Sequence, residues 1–313
     1  MSNKNFALIG VAGYIAQRHV KAIKETNNKL ITCLDKFDNV GFLDSYFPDA
    51  DFFYEFERFD RHLDMLKNTD KKIDYVSICS PNYLHDSHIR FALHQDADAI
   101  CEKPLVLNPW NIDRLIEIEN QTGRKIYNIL QLRLHPAIKK LKTEIDNSPK
   151  DKIFDVNLAY ITSRGKWYHY SWKGDVQKSG GIATNIGVHF FDMLTWIFGK
   201  SQKNTVYISD NNTAAGFLEL ERANVKWLLS IDENLLPEET KKQNKRAFRL
   251  IKVEDKEIEF TEGFEDLHTE SYKQIIAGNG FRISDARSCI QIVHEIRNAK
   301  PIGLKGMENV EYE

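Results

Sequence analysis

The sequence predicts an α/β protein of two domains: a doubly wound parallel sheet first, then an α+β domain on a large, mostly antiparallel open sheet. Three observations predict it. The chain has 313 residues, enough for two domains at roughly 150 residues each. As far as residue 130, apolar runs alternate with amphipathic helical patterns, as right-handed β-α-β crossovers require. After that, apolar runs recur with period-two character, the pattern of an antiparallel sheet.

Each element has its own signal. Residues 6–10 form a short apolar run closed by glycine. From 14 to about 26, Ile15, His19, Ala22 and Ile23 share one helical face. A strand at 30–34, an amphipathic helix at 59–67 and a nearly continuous apolar strand at 73–79 follow. A helix at 83–95, a strand at 97–101, a helix at 109–123 (proline near its start, glycine at its end) and a strand at 125–130 complete a domain of residues 1–131. The second domain, 132–313, opens with a helix at 135–146 and a strand at 154–162. A helix is expected at 185–198, and strands at 204–209, 214–221, 225–231, 247–253 and 256–261. A last helix, from 285 to about 300, has Ser284 and Asp285 as its cap and stops before Pro301.

Composition excludes several classes. Lys plus Arg is 43 and Asp plus Glu is 45, so no global charge favours nucleic acid or an anionic membrane. At 42% apolar and 28% charged the chain is an ordinary globular protein. Four cysteines lack C-x-x-C spacing, and three lie in apolar strand-like runs, as in a reducing compartment. No stretch is long and apolar enough for a bilayer span. A cytoplasmic protein without a metal centre is expected.

Five motifs carry chemistry. Gly10, Val11, Ala12, Gly13, Tyr14, Ile15 and Ala16 lie between the first strand and helix. A pyrophosphate needs a tight turn and free N–H groups at such a place; a plain strand-to-helix turn is the alternative. Asp35, followed by Lys36, ends the second strand, where an acid can bind an adenosine ribose and repel a 2′-phosphate, favouring NAD; it is otherwise a turn former. Ser80-Pro81-Asn82-Tyr83-Leu84-His85 follows one strand and Glu102-Lys103-Pro104 the next, both at carboxyl ends where α/β sheets bind ligands. The first also reads as a helix-capping loop, and Lys103 as a solvated lysine. Asn185, His189 and Asp192 have the spacing of one helical face amid apolar residues, with Thr184 or Asn185 as cap; a satisfied core histidine is the alternative. Residues 161–173 gather Arg164, Lys166, Trp167, Tyr168, Tyr170, Trp172 and Lys173, suited to a phosphate, carboxylate or sugar ring or to an exposed hairpin.

Together, and in this order, these motifs resemble the glucose–fructose oxidoreductase/inositol dehydrogenase superfamily over nearly the whole chain. The runs IGVAGYIAQRH, ICSPNYLHDSHIRFAL, CEKPLVLNPWNID, YNILQLRLHP, TSRGKWY and GGIATNIGVHFFDML are similar to its bacterial UDP-N-acetyl-2-amino-2-deoxyglucuronate dehydrogenases of the WlbA/WbpB type. The resemblance implies a Rossmann first domain and NAD-dependent oxidation of the sugar C3 hydroxyl to a 3-keto sugar nucleotide, on the way to surface polysaccharide (O-antigen). It places Gly10, Ala12, Gly13, Tyr14, Ile15, Asp35, Lys36, Ser80, Asn82, Leu84, His85, Glu102, Lys103 and Gln131 on the cofactor. Lys103 and His189 become the catalytic pair, and Arg164, Tyr168 and Asn185 join them as substrate contacts. Much of the superfamily has Asp where this chain has Asn185, so the base is His189 or neutral Lys103. The resemblance also implies 2-oxoglutarate as a hydride acceptor and a homodimer or homotetramer. The alternatives are a dehydrogenase of a free sugar or cyclitol, and a dinucleotide-binding sensor without turnover.

Overall fold

In the computed structural model, residues 3–258 and 266–303 are described. The chain divides into two compact units, Met1–Gln131 with Glu265–Arg287, and Leu132–Phe264 with Ser288–Glu313.

The first unit starts with β1 (Asn5–Ile9), α1 (Ala16–Glu25), β2 (Lys29–Leu34), β3 (Asp51–Phe53) and α2 (Phe56–Leu66). It continues with β4 (Tyr75–Ile78), α3 (His85–His94), β5 (Asp98–Cys101), α4 (Pro109–Thr122) and β6 (Ile126–Asn128). The sheet order is β3-β2-β1-β4-β5-β6, parallel throughout. Every residue of β4 is buried, which explains why Tyr75-Val76-Ser77-Ile78 reads as a run without alternation. α2 buries Phe59, Leu63 and Leu66, one stripe at helical spacing. α4 has Pro109 in its first turn and ends at Gly123, whose φ of 70° suits glycine.

The second unit begins with α5 (Pro136–Asp146) and β7 (Phe154–Thr162). Two single-turn helices, α6 (Trp167–Tyr170) and α7 (Val176–Ser179), lead to a π-helical turn at Ala183–Gly187 and α8 (Val188–Phe198). Then come β8 (Ser201–Ser209), β9 (Thr213–Leu220), β10 (Ala223–Ser230), α9 (Glu238–Lys242), β11 (Ala247–Val253) and β12 (Lys256–Glu257). The sheet order is β12-β11-β7-β10-β9-β8, antiparallel except for the β7–β10 pair. α8 and its π turn sit tightly on this sheet. A Cβ at Gly187 would lie 2.3 Å from Leu229 Cδ1, and Phe191 meets Trp227 edge to face at 5.4 Å.

Two helices close the chain: α10 (Leu267–Ile276) and, after a 3₁₀ turn at Ile283–Ala286, α11 (Arg287–Asn298). α10 was not expected from sequence and belongs to the first unit, whereas the expected second domain took in all of 132–313. The expected cap of the last helix is also corrected. Asp285 accepts from the Arg282 N–H at 2.7 Å within the 3₁₀ turn, and the α-helix begins two residues later. Of the strand expected at 256–261, residues beyond 258 lie outside the described ones.

Candidate functional site

The sheet order of the first unit reverses between β1 and β4, and open α/β sheets bind ligands at the carboxyl ends of such a switch point. The glycine turn is built there. Gly10 has a φ of +87°, and a Cβ on it would lie 2.6 Å from the Cys79 carbonyl carbon and 2.7 Å from Ser80 N. Only glycine lets the turn after β1 lie against the loop after β4. The Gly10 N–H donates to Leu34 O at 2.8 Å, and the Gly13 N–H to Gly10 O at 3.1 Å. The Ala12 N–H donates to Asp35 Oδ2 at 3.0 Å, while Oδ1 accepts from the Phe37 N–H at 3.1 Å. Asp35 therefore ties the end of β2 to the glycine turn. Tyr14 and Lys36 are exposed, and Ile15 stands just before α1.

The loop after β4 carries Ser80, whose hydroxyl meets His88 Nδ1 at 2.8 Å. Burial lowers the His88 pKa to about 4. Asn82 is buried and Leu84 half-buried. His85, expected to line the cofactor, is buried with both ring nitrogens engaged: Nδ1 with Pro104 O at 2.7 Å and Nε2 with Ser80 O at 2.8 Å. It staples the loops after β4 and β5 together. The Gln131 side-chain oxygen is buried without a hydrogen-bond partner.

Glu102, expected on the cofactor, is buried in a polar network. Its Oε1 faces His19 Nε2 at 3.0 Å and His268 Nε2 at 2.8 Å, and its Oε2 accepts from the Lys103 N–H at 3.1 Å. His19 Nδ1 meets the Tyr272 hydroxyl at 2.8 Å, which meets Ser77 Oγ at 2.6 Å. Burial alone would raise the Glu102 pKa, but the bonds from His19 and His268 outweigh it and hold the carboxyl well below the usual range. Burial pushes His19 down, towards its neutral form. Lys103 itself is half-buried, and its peptide to Pro104 is cis. The sequence signal for this network was His19 on the apolar face of α1. His268, Tyr272 and Ser77 had none.

In the second unit, Asn185 Nδ2 donates to the Tyr168 hydroxyl at 2.7 Å. Burial raises the Tyr168 pKa against the opposing effects of Asn185 and Arg164, and Arg164 is exposed. His189, half-buried, packs edge-on to Tyr160 at 6.2 Å. Two expectations are corrected. Asp192 is not a free member of a polar stripe with Asn185 and His189. It is buried and holds Arg133 through two bonds, Nε at 3.0 Å and Nη2 at 2.6 Å. The π turn containing Asn185 breaks the α spacing between it and His189, while His189 and Asp192 both lie within α8 and it is Arg133 that claims the carboxylate. Neither expected cap acts as one: Thr184 Oγ1 donates to Gly180 O at 2.7 Å, and Asn185 is turned to Tyr168. Of residues 161–173, the first two end β7, and helical turns at Trp167–Tyr170 and Trp172–Gly174 stand where a hairpin was the alternative.

A parallel sheet with a glycine turn and an acid at its switch point, followed by a mixed-sheet unit, defines a two-part protein with a dinucleotide-binding fold. The chain belongs to the Gfo/Idh/MocA oxidoreductase family. Residues 4–129 match its NAD-binding Rossmann fold and residues 150–221 its C-terminal alpha/beta domain. The chain is 48% identical to the WlbA (WbpB) dehydrogenase of Thermus thermophilus, over 96% of each chain. The TM-score is 0.93 to the structure with NAD and alpha-ketoglutarate, and 0.92 to that with NAD and UDP-GlcNAcA. The myo-inositol 2-dehydrogenase of Thermotoga maritima is 29% identical over 134 residues, 42% of this chain and 38% of that protein. YteT of Bacillus subtilis is 27% identical over 132 residues, 42% of this chain, and the match spans 31% of its length. The side-chain-free cradle at Gly10 fits a dinucleotide. No helix among the described residues is long and apolar enough to cross a membrane.

Proposed function

We propose that the chain is an NAD-dependent dehydrogenase that oxidises the sugar C3 hydroxyl of UDP-N-acetyl-2-amino-2-deoxy-D-glucuronate to the 3-keto sugar nucleotide. The observation that carries this reading is the 48% identity, over 96% of both chains, to a dehydrogenase whose structure holds NAD and UDP-GlcNAcA. Gly10, Ala12, Gly13 and Asp35 hold the cofactor, which when bound supplies the hydride acceptor. Lys103 and His189 hold the 3′-hydroxyl, and one of them removes its proton, a role worth about 10²–10⁴-fold. Arg164, Tyr168 and Asn185 bind the substrate, whose remote diphosphate handle contributes binding energy used at the reacting carbon. We place the reaction in the cytoplasm, in the biosynthesis of surface polysaccharide such as O-antigen, and carry over a homo-oligomeric state. Alpha-ketoglutarate in the other structure of the same relative supports 2-oxoglutarate as the acceptor that regenerates NAD.

Incubation with NAD and UDP-N-acetylglucosaminuronate, with and without 2-oxoglutarate, tests this reading. The expected result is a keto sugar nucleotide and a rise in nicotinamide absorbance, or 2-hydroxyglutarate when the second acid is present. Turnover of free hexoses or inositol in its place would overturn the substrate assignment.

A further inference from the structure

The peptide that joins Glu102 to Lys103 is gripped at both ends. Its carbonyl, Glu102 O, accepts from Asn128 Nδ2 at 3.3 Å. Its N–H, on Lys103, donates to Glu102 Oε2 at 3.1 Å. The grip is only as firm as the carboxylate, and that is fixed in turn. Its other oxygen takes His19 Nε2 and His268 Nε2, and His19 is oriented through Tyr272 and Ser77. These side chains come from α1, β4, α10 and the segment after β5, and all are buried. With Nε2–H directed at Glu102, His19 Nδ1 accepts from Tyr272, whose oxygen accepts from Ser77. Every one of those donors then has an acceptor. Burying so many polar groups is costly for each bond left unmade, and among the ring nitrogens of His19 and His268 only His268 Nδ1 is left without a partner.

We propose that the buried chain Ser77–Tyr272–His19–Glu102–His268 is a positioning device for Lys103, with His268 its final latch. The proposal rests on the assignment of Lys103 to the reaction. It deepens that assignment by stating what holds the lysine's backbone in place. His19, Glu102 and His268 are positioning residues and touch no substrate. The same three ligand-type atoms lie within 4.8 Å of one another, so a metal centre is the rival use of the cluster.

The test compares His268→Leu, which removes the donor, with His268→Gln, which can restore an N–H near Nε2. Lys103→Met is the control for the reading beneath. His268→Leu should lower kcat about tenfold or more and leave NADH affinity within about threefold. Hydrogen exchange at the Lys103 amide should quicken about tenfold or more as its acceptor loosens. His268→Gln should recover most of both. Wild-type kcat and exchange in folded His268→Leu would overturn the proposal, as would a stoichiometric metal on the purified wild-type protein that this variant loses. Should His268→Leu show no cooperative melt, Tyr272→Phe removes a single hydroxyl and should move kcat and exchange the same way; no movement overturns the proposal. Full activity in Lys103→Met would overturn the assignment of Lys103 instead, and the exchange result would still report on the network.

Discussion

Asp192 grips Arg133 with both carboxylate oxygens, at 3.0 and 2.6 Å, in a pair almost wholly shut off from solvent. A bidentate pair of this kind fixes geometry as well as charge. Removing one partner leaves the other buried and uncompensated, which costs about 3–5 kcal/mol. Asp192→Ala should therefore lower unfolding free energy by that order in urea titrations. A loss of activity with unchanged stability would instead mean that the carboxylate serves His189.

Gly10 is the position at which the cofactor turn is least tolerant. Its φ of +87° and the 2.6 Å approach of the Cys79 backbone leave no room for a methyl group. Gly10→Ala should abolish measurable NAD binding and cost about 1–3 kcal/mol in backbone strain. Equilibrium fluorescence titration with NADH and a thermal melt check the two effects separately.

Lys103→Ala and His189→Ala should each reduce kcat at least about 10²-fold, the scale of a lost proton acceptor or its partner. NADH affinity should remain near that of the parent in both. Near-parental turnover in either variant removes that residue from the proton-transfer role.

Two buried histidines, His19 and His85, and the half-buried His88 set an acid limit on stability. Burial lowers the pKa of His19 and His85, and brings that of His88 to about 4. The unfolded chain takes up protons near 6.5, its ordinary value, while the folded chain resists. Stability is thus full above pH 6.5 and falls as the pH drops towards 4, by roughly 3 kcal/mol for His88 alone. His88→Gln should flatten that slope in a series of urea melts between pH 4 and 7. An equally steep slope would reject the assignment.

The inner strands of the first sheet were legible because they are covered on both faces and so appear as unbroken apolar runs, as at Tyr75–Ile78. The glycine turn was legible because the residue type itself carries the constraint: Gly10, at a φ of +87°, must fit against Cys79 and Ser80 after β4, and a side chain would not. The partners of Glu102 were not. His19 and His268 stand 83 and 166 positions from it, and nothing in the spacing links them. α10 was missed because it buries His268, Thr269 and Ser271 along with Leu267, Tyr272 and Ile275, which blurs the apolar stripe on which a helix is recognised. Asp192 misled for a related reason. Its spacing from His189 suits a shared helical face, but Arg133, 59 positions away, claims it. The three-residue β3 is too short to carry a pattern.

Tyr272 and His268 are made long after Ser77, His19 and Glu102, since α10 follows the whole stretch from Leu132 to β12. During synthesis the nucleotide-binding half must therefore wait on the ribosome with its polar centre half assembled, while some 130 intervening residues emerge. A gene fragment cut at codon 131 would encode a sheet without its latch, so any transplant of this half into another protein has to carry the returning helix along.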